Sequence, residues 1–382
     1  MNFISRELLE LIEKKIQPNK VIVLLGARRV GKTFLLKELV SKMKGPYLFL
    51  NGEDINVHEA LREKSVENFK RLLGGKETLI IDEAQKINDI GGILKLMVDE
   101  IPGLKVIVTG SSAFDIKNLA GEPLTGRKYT YVLYSLSERE CSPLEDHINS
   151  IDRQKMRLVY GNYPELLHIP DLADKREYLN EVISSYLLKD ILIYENIKNS
   201  GKIFNLLKMV AFQLGNEVSY QELGNHLGMS KNTVEKYLDL LSKVFVLVKV
   251  EGFSRNLRKE VTKSPRWYFL DNGIRNAVIA NFNSIDRRDD LGQLWGNHLI
   301  TERLKYQQAT RMVSNNYFWR TYEQQEIDWV EEREGKLYGY EFKWKKGPSK
   351  APSAWTKTYQ EAEFKVITQE NYQDWLGIAH SS

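Results

Sequence analysis

The chain has 382 residues, 42% of them hydrophobic and 28% charged, with a net charge of +4; that length suits two or three domains of roughly 150 residues each. One cysteine, Cys141, excludes an internal disulfide framework and cysteine-based zinc sites and suits a reducing cytoplasm, where the chain is expected. The mild charge leaves nucleic-acid binding to a local patch, and the longest apolar run, Val21 to Leu25, is too short to span a bilayer.

The opening stretch MNFISRELLELIEKK reads as an amphipathic charged helix rather than a signal peptide. Residues 1–134 then alternate strand and helix signals. KVIVLL (20–25) reads as a buried strand and TFLLKELVSKM (33–43) as a helix, with further strands at PYLFLN, ETLIID, LKVIVTG and KYTYVLY. Short apolar strands separated by helices predict a parallel sheet covered on both faces.

GARRVGKT (26–33) matches G-x-x-x-x-G-K-[ST] in full, between a strand and a helix. Gly26 and Gly31 let the backbone curl so that successive N–H groups and the helix N-terminus face a phosphate. The expected nucleotide-binding set is Gly26, Ala27, Arg28, Arg29, Val30, Gly31, Lys32, Thr33 and Phe34. Lys32 would reach the β- and γ-phosphates of ATP, and the Thr33 hydroxyl would hold Mg²⁺. TLIIDEAQ (78–85) places Asp82 at a strand's C-terminal edge, where it can join Thr33 on the metal; Glu83 is positioned to polarise the attacking water. Ser111 and Ser112 in VIVTGSSAF either sense the γ-phosphate or cap a helix. Arg127 is either an arginine finger supplied across a subunit interface or a surface arginine at a strand start; with Arg28 and Arg29 it is a candidate charge stabiliser.

Residues 135–200 read as a helical lid and linker, punctuated by Gly161, Pro164 and Pro170 and ending in one long amphipathic helix from Tyr178 to Ile197. Residues 201–271 hold three helical segments and then two strands around a basic connection, the pattern of a winged helix. Ser230, Lys231, Asn232 and Thr233 would face a DNA groove, with Arg255, Arg258, Lys259, Lys263 and Arg266 on phosphates; packing or protein contact is the competing use. Residues 272–382 return to an α/β layout. In YGYEFKWKK, Glu341 and Lys343 alternate with Tyr340, Phe342 and Trp344, as in any half-buried strand. A hairpin around Glu334-Gly335 would bring Asp328 opposite Glu341, unfavourable unless a cation or lysine intervenes. A bound Mg²⁺ with Lys343 would make this a nuclease site, with Glu302 completing it; Lys343 alone would make it structural. The six histidines are too scattered for a metal motif.

The motifs GARRVGKT, LIIDEAQ, VIVTGSSAF, LAGEPLTGR, YGNYPELL, YLLKDI, PRWYFLDNGI, GQLWGNHLITERL and EIDWV…YEFKW follow one another over nearly the whole chain. In that order they resemble prokaryotic AAA+-superfamily P-loop ATPases with a C-terminal winged helix and a restriction-endonuclease-like, PD-(D/E)XK-type domain of unassigned function. The resemblance implies an ATPase of the additional-strand class and a D…(E)-x-K site at Asp328, Glu341 and Lys343. One departure is Gly296, where that family usually has an acidic residue. The reading is therefore a P-loop ATPase core at 1–134, a lid at 135–200, a winged helix at 201–271 and a nuclease-like α/β domain at 272–382. It would hydrolyse ATP with Mg²⁺ and act on or near DNA, alone, as a homo-oligomer or with a partner protein. The alternative is a nucleotide-gated switch whose output is a partner protein and whose nuclease-like domain is inactive.

Overall fold

The apolar runs of the first 135 residues form one parallel sheet. The structure is a computed structural model and describes residues 4–111, 124–145, 147–187, 200–255, 264–347 and 350–378. After a short helix α1 (Glu7–Glu13) come β1 (Lys20–Leu25), α2 (Lys32–Lys42), β2 (Tyr47–Asn51), α3 (Ile55–Ala60), α4 (Val66–Leu73), β3 (Thr78–Asp82), α5 (Ile90–Glu100), β4 (Lys105–Gly110) and β5 (Lys128–Val132). The strand order is β2-β3-β4-β1-β5, every pair parallel. Alternation of side chains sorts the core: Val21, Val23, Leu79, Ile81, Val106 and Val108 pack with Leu94 and Met97 of α5. Ile22, Leu24, Ile80 and Ile107 are buried on the opposite face, so both faces are covered. Because all strands run one way, β1, β3 and β4 finish side by side, and their C-terminal ends gather Gly26, Asp82 and Gly110 at one rim.

The described residues up to 135, with 243–245, form this unit, and those of 136–242 with 246–382 form a second. The second unit begins with α6 (Glu138–Cys141), α7 (His147–Tyr160) and α8 (Leu172–Glu181). The helix expected from Tyr178 to Ile197 is seen as the end of α8 followed by a π-turn at Val182–Leu187; the rest lies outside the described residues. Next come α9 (Ser200–Phe212), α10 (Tyr220–Leu227) and α11 (Lys231–Lys243), then the antiparallel ribbon β6 (Leu247–Gly252) and β7 (Arg266–Phe269). Ser219 caps α10 through the Glu222 N–H, and Gly228 closes it in the left-handed region.

The remaining elements are α12 (Asn272–Val278), α13 (Leu291–Ala309), β8 (Asn315–Arg320), β9 (Glu326–Arg333), β10 (Lys336–Phe342), α14 (Ser353–Thr358), β11 (Glu363–Ile367) and α15 (Tyr372–Trp375). The strands join in one sheet of order β11-β10-β9-β8-β6-β7. Both expected boundaries, 200/201 and 271/272, fall inside this unit, and β6 pairs with β8 across the second at Glu251–Tyr317 and Gly252–Phe318. Its core includes Phe253, Trp319, Ile327, Val330, Leu337, Trp355 and Tyr359.

Two glycines explain the motifs YGNYPELL and DNGI. A Cβ on Gly273 would stand 1.9 Å from the Tyr160 carbonyl oxygen, and one on Gly161 (φ +78°) would stand 1.8 Å from an Asp271 oxygen. Only hydrogen side chains let the end of α7 and the start of α12 cross so closely. Asp271 seals the crossing, accepting from the N–H groups of Asn162 (2.8 Å) and Gly273 (2.9 Å).

Candidate functional site

The phosphate loop begins where β1 ends. Gly26 must be glycine, since a Cβ there would meet the Leu133 carbonyl oxygen at 2.3 Å. Arg29 (φ +65°) and Gly31 (φ +98°) take left-handed backbone, which curls the loop before α2 opens at Lys32. Gly31 caps α2 without a side chain, so the helix N-terminus meets the loop directly. Lys32 is buried, its ammonium donating to the carbonyls of Gly26 and Ala27 at 2.9 Å each. Val30 is buried, Ala27 and Arg28 are half-buried, and Arg29, Thr33 and Phe34 are exposed.

Asp82 reaches this loop across the intervening β4. Thr33 Oγ1 donates to Asp82 Oδ2 at 2.6 Å and Thr109 Oγ1 to Oδ1 at 2.5 Å, so both carboxylate oxygens are fixed. Glu83 sits in left-handed backbone (φ +50°), a strained position for a side chain of its size. Its N–H donates to Thr109 Oγ1 (2.9 Å), and its carboxylate accepts from the Gln85 amide (2.5 Å). The same Gln85 amide donates to Ser111 Oγ (3.1 Å), which places Ser111 at the site; Ser112 lies outside the described residues. A Cβ on Gly52 would come within 2.3 Å of the Glu83 carbonyl oxygen, so the end of β2 packs on this turn.

These donors fit the group that the loop implies. The Thr33 hydroxyl and Asp82 carboxylate form an all-oxygen pair suited to a hard Mg²⁺. Thr109 and Gln85 are not part of the sequence expectation. The signal for Thr109 is a polar residue ending the apolar strand KVIVTG beside Asp82, where Val108 pairs with Ile81.

Arg127 lies away from the loop. Its carbonyl accepts from the Val21 N–H, at the N-terminal end of β1, about 16 Å from Gly26 at ~3.3 Å per residue. Its guanidinium pairs with Asp99. Within one chain it therefore cannot reach the phosphates.

The second carboxylate set lies on β9 and β10. Between Tyr317 and Trp319 the β8–β9 register slips, so Asp328 and Trp329 together face one residue of β8. This bulge keeps both Ile327 and Val330 in the core and re-aims Asp328. Asp328 Oδ2 accepts from the Phe342 N–H at 2.8 Å, beside Glu341. Burial, then the neighbouring Glu341 charge, push its pKa up to about 7. Lys343 pairs with Glu341 at 2.7 Å, and that bond raises the lysine's pKa.

Asp328, Glu341 and Lys343 are thus brought together, and Glu302 is not placed with them. The Glu302 carboxylate accepts from the Glu138 N–H (2.7 Å) and from Lys305 (2.6 Å). Among the described residues no group of three or more His, Cys, Asp or Glu is arranged to hold a metal. Arg266, expected on DNA phosphates, is buried; it bonds Glu326 at 2.7 Å and approaches Asp328 at 3.9 Å. A phosphate cannot replace those partners without unburying the guanidinium. Arg255 pairs with Glu332, while Arg258, Lys259 and Lys263 lie outside the described residues. On α11, Lys231 and Asn232 are exposed, but so are Glu235 and Asp239, which offset the basic charge. A Cβ on Gly296 would meet nothing closer than the Phe342 ring at 3.9 Å, so a side chain has room there.

Comparison with known proteins bears on the first unit. Residues 18–142 match the family model described as "AAA domain". Residues 151–285 and 291–375 match two models described as domains of unknown function (DUF8612 and DUF4143). Among curated proteins, "Uncharacterized protein Rv2008c" of Mycobacterium tuberculosis is 27% identical over 334 residues, 86% of this chain and 71% of that one. "Uncharacterized protein MJ1544" of Methanocaldococcus jannaschii is 25% identical over 288 residues, 70% of this chain and 64% of that one. Among solved structures, the Walker-type ATPase PABY2304 of Pyrococcus abyssi aligns at 15% identity with a TM-score of 0.49, over 72% of this chain and 96% of that one. No helix among the described residues is long and apolar enough to cross a membrane. The family match and the loop geometry agree that the first unit is a P-loop domain of the AAA type.

Proposed function

We propose that this chain binds ATP with Mg²⁺ and hydrolyses it, using Lys32, Thr33, Asp82 and Glu83. The observation that carries this reading is the carboxylate of Asp82 gripped by the Thr33 and Thr109 hydroxyls beside the phosphate loop. Mg²⁺, when bound by Thr33 and Asp82, neutralises phosphate charge and polarises the phosphoryl group. Lys32 offers an ammonium to the phosphate oxygens, and the loop N–H groups orient them. Glu83, steadied by Gln85, accepts the proton of the attacking water or orients it for in-line attack. Arg127 can serve as a charge stabiliser only from a second copy. Phosphate release under saturating ATP and Mg²⁺ tests the assignment. Glu83→Gln should lose about 10²–10⁴-fold in kcat while still binding ATP, and Lys32→Ala should lose binding as well. Full turnover by Glu83→Gln would remove Glu83 from the mechanism.

The finer reading is that the second unit meets DNA through a winged helix and carries a nuclease-like site. It is supported by three helices followed by an antiparallel ribbon, and by the meeting of Asp328, Glu341 and Lys343. A second reading, the nucleotide-gated switch with a silent nuclease-like site, is favoured by Arg266 beside Asp328. There a fixed cation already offsets part of the carboxylate charge. Incubating plasmid and single-stranded DNA with the protein and Mg²⁺ or Mn²⁺, with and without ATP, separates the two. Cleavage lost in Asp328→Ala supports the nuclease; intact DNA under every condition supports the switch.

A further inference from the structure

An arginine that the phosphate-loop pattern does not include lies at the same site. Arg6, just ahead of α1, is 6% exposed. Its Nη1 donates to the Val30 carbonyl oxygen at 2.8 Å, and its Nη2 to the Tyr134 carbonyl oxygen at 2.7 Å. A Cβ on Gly31 would stand 3.6 Å from Nη1, so the guanidinium lies directly against the loop.

Each contact has a consequence. The Val30–Gly31 peptide is trans, so its C=O and N–H point in opposite directions. Holding the carbonyl on one side aims the Gly31 N–H to the other. A cationic donor on that carbonyl also polarises the peptide and makes its N–H a better donor to an anion. The second contact is to the end of the β5 segment. The Leu133 N–H donates to the Leu25 carbonyl at 2.7 Å, and the Leu133 carbonyl is the group against which Gly26 packs. Ser135 is the last residue of this run in the first unit and Leu136 the first of the second. The loop and the strap that leaves the unit are therefore bonded at Leu25–Leu133, packed at Gly26 and bridged by Arg6.

We propose that Arg6 is a positioning residue of the nucleotide site: it sets the Gly31 amide for phosphate and, through the same guanidinium, ties the phosphate loop to the Tyr134 strap by which the chain leaves the first unit. This deepens the ATP-binding reading and rests on it. Arginine is required because one planar fork spans two carbonyls; a lysine ammonium supplies the charge without the bridge.

The test uses the full chain, a ribose-labelled fluorescent ATP with Mg²⁺, and hydrogen exchange of a peptide spanning Leu133–Ser137. In the wild type, nucleotide should slow exchange in that peptide. Arg6→Ala should bind about tenfold more weakly, the ~1.4 kcal/mol scale of one charge-assisted bond, and lose the nucleotide-dependent protection. Arg6→Lys should recover part of the affinity but not the protection. Added guanidinium ion should restore both in Arg6→Ala, which separates loss of the bridge from misfolding. Binding by Arg6→Ala within twofold of wild type with protection intact would overturn the proposal, as would full recovery of both in Arg6→Lys. Failure of the wild type to bind ATP would overturn the ATP reading together with it, a result distinct from normal binding that ignores Arg6.

Discussion

At the β9 bulge, Asp328 shows how a neighbourhood overrides a residue's ordinary chemistry. Burial and the Glu341 charge raise its carboxyl to about 7, against ~3.9 for an exposed aspartate. Between those values the folded chain holds a proton that the unfolded chain has released. The stability contribution is therefore present below pH ~4, falls as pH rises towards 7, and stays lost above it. Asp328→Asn cannot ionise and can still accept from the Phe342 N–H. In chelator-treated protein, denaturant melts should show Asp328→Asn gaining on wild type by on the order of 2 kcal/mol between pH 5 and pH 8. A constant difference across that range would place the Asp328 proton elsewhere. At this scale the sequence is legible where chemistry is local. Lys32, Thr33 and the loop glycines are contiguous, and Asp82-Glu83 follow an apolar strand. Gln85 stands two residues past Glu83 in the same stretch, but Thr109 and Arg6 reach the site from separate segments, and no spacing rule connects them.

At the scale of elements, the close crossing of α7 and α12 turns on Asp271. Its carboxylate caps α12 and also takes the Asn162 N–H, so Asp271→Ala removes a cap and orphans a buried donor. A cap is worth ~1 kcal/mol and an unsatisfied buried group about 1–3 kcal/mol. Chemical denaturation should show a loss of about 2–4 kcal/mol, against a small change for Asp171→Ala, whose cap on α8 is exposed. Strands and helices were readable from periodicity, and so was the hairpin that sets Asp328 near Glu341. The bulge was not readable. The segment EIDWV offers Ile327 and Val330 to the core three residues apart, which fits strict alternation on neither face.

At the scale of the molecule, the chain forms two units where four segments were expected. The main run of the first ends at Ser135, close to the change from alternating strands to helices that the sequence displays. The second joins the lid to the rest through the α7–α12 crossing, and joins the ribbon to the C-terminal strands because β6 and β8, more than 60 residues apart, share backbone hydrogen bonds. Pairing of that kind depends on which edge is left open once each part has folded, and composition carries no record of it.

The sequence by itself determined the phosphate loop, the acidic strand end and the parallel α/β class, because each is a local matter of backbone freedom, charge and alternation. Only the tertiary structure decided the remaining assignments. Asp82 is held by Thr109 as well as Thr33, Arg127 stands at the far end of the sheet, and Glu302 belongs to Glu138 and Lys305. Arg266 is buried beside Asp328 instead of facing a phosphate. The physical reason is common to all four. A side chain's charge is fixed by its residue type, but its partners are whichever groups the fold brings within about 3–4 Å, and for each of these residues at least one comes from a distant part of the chain.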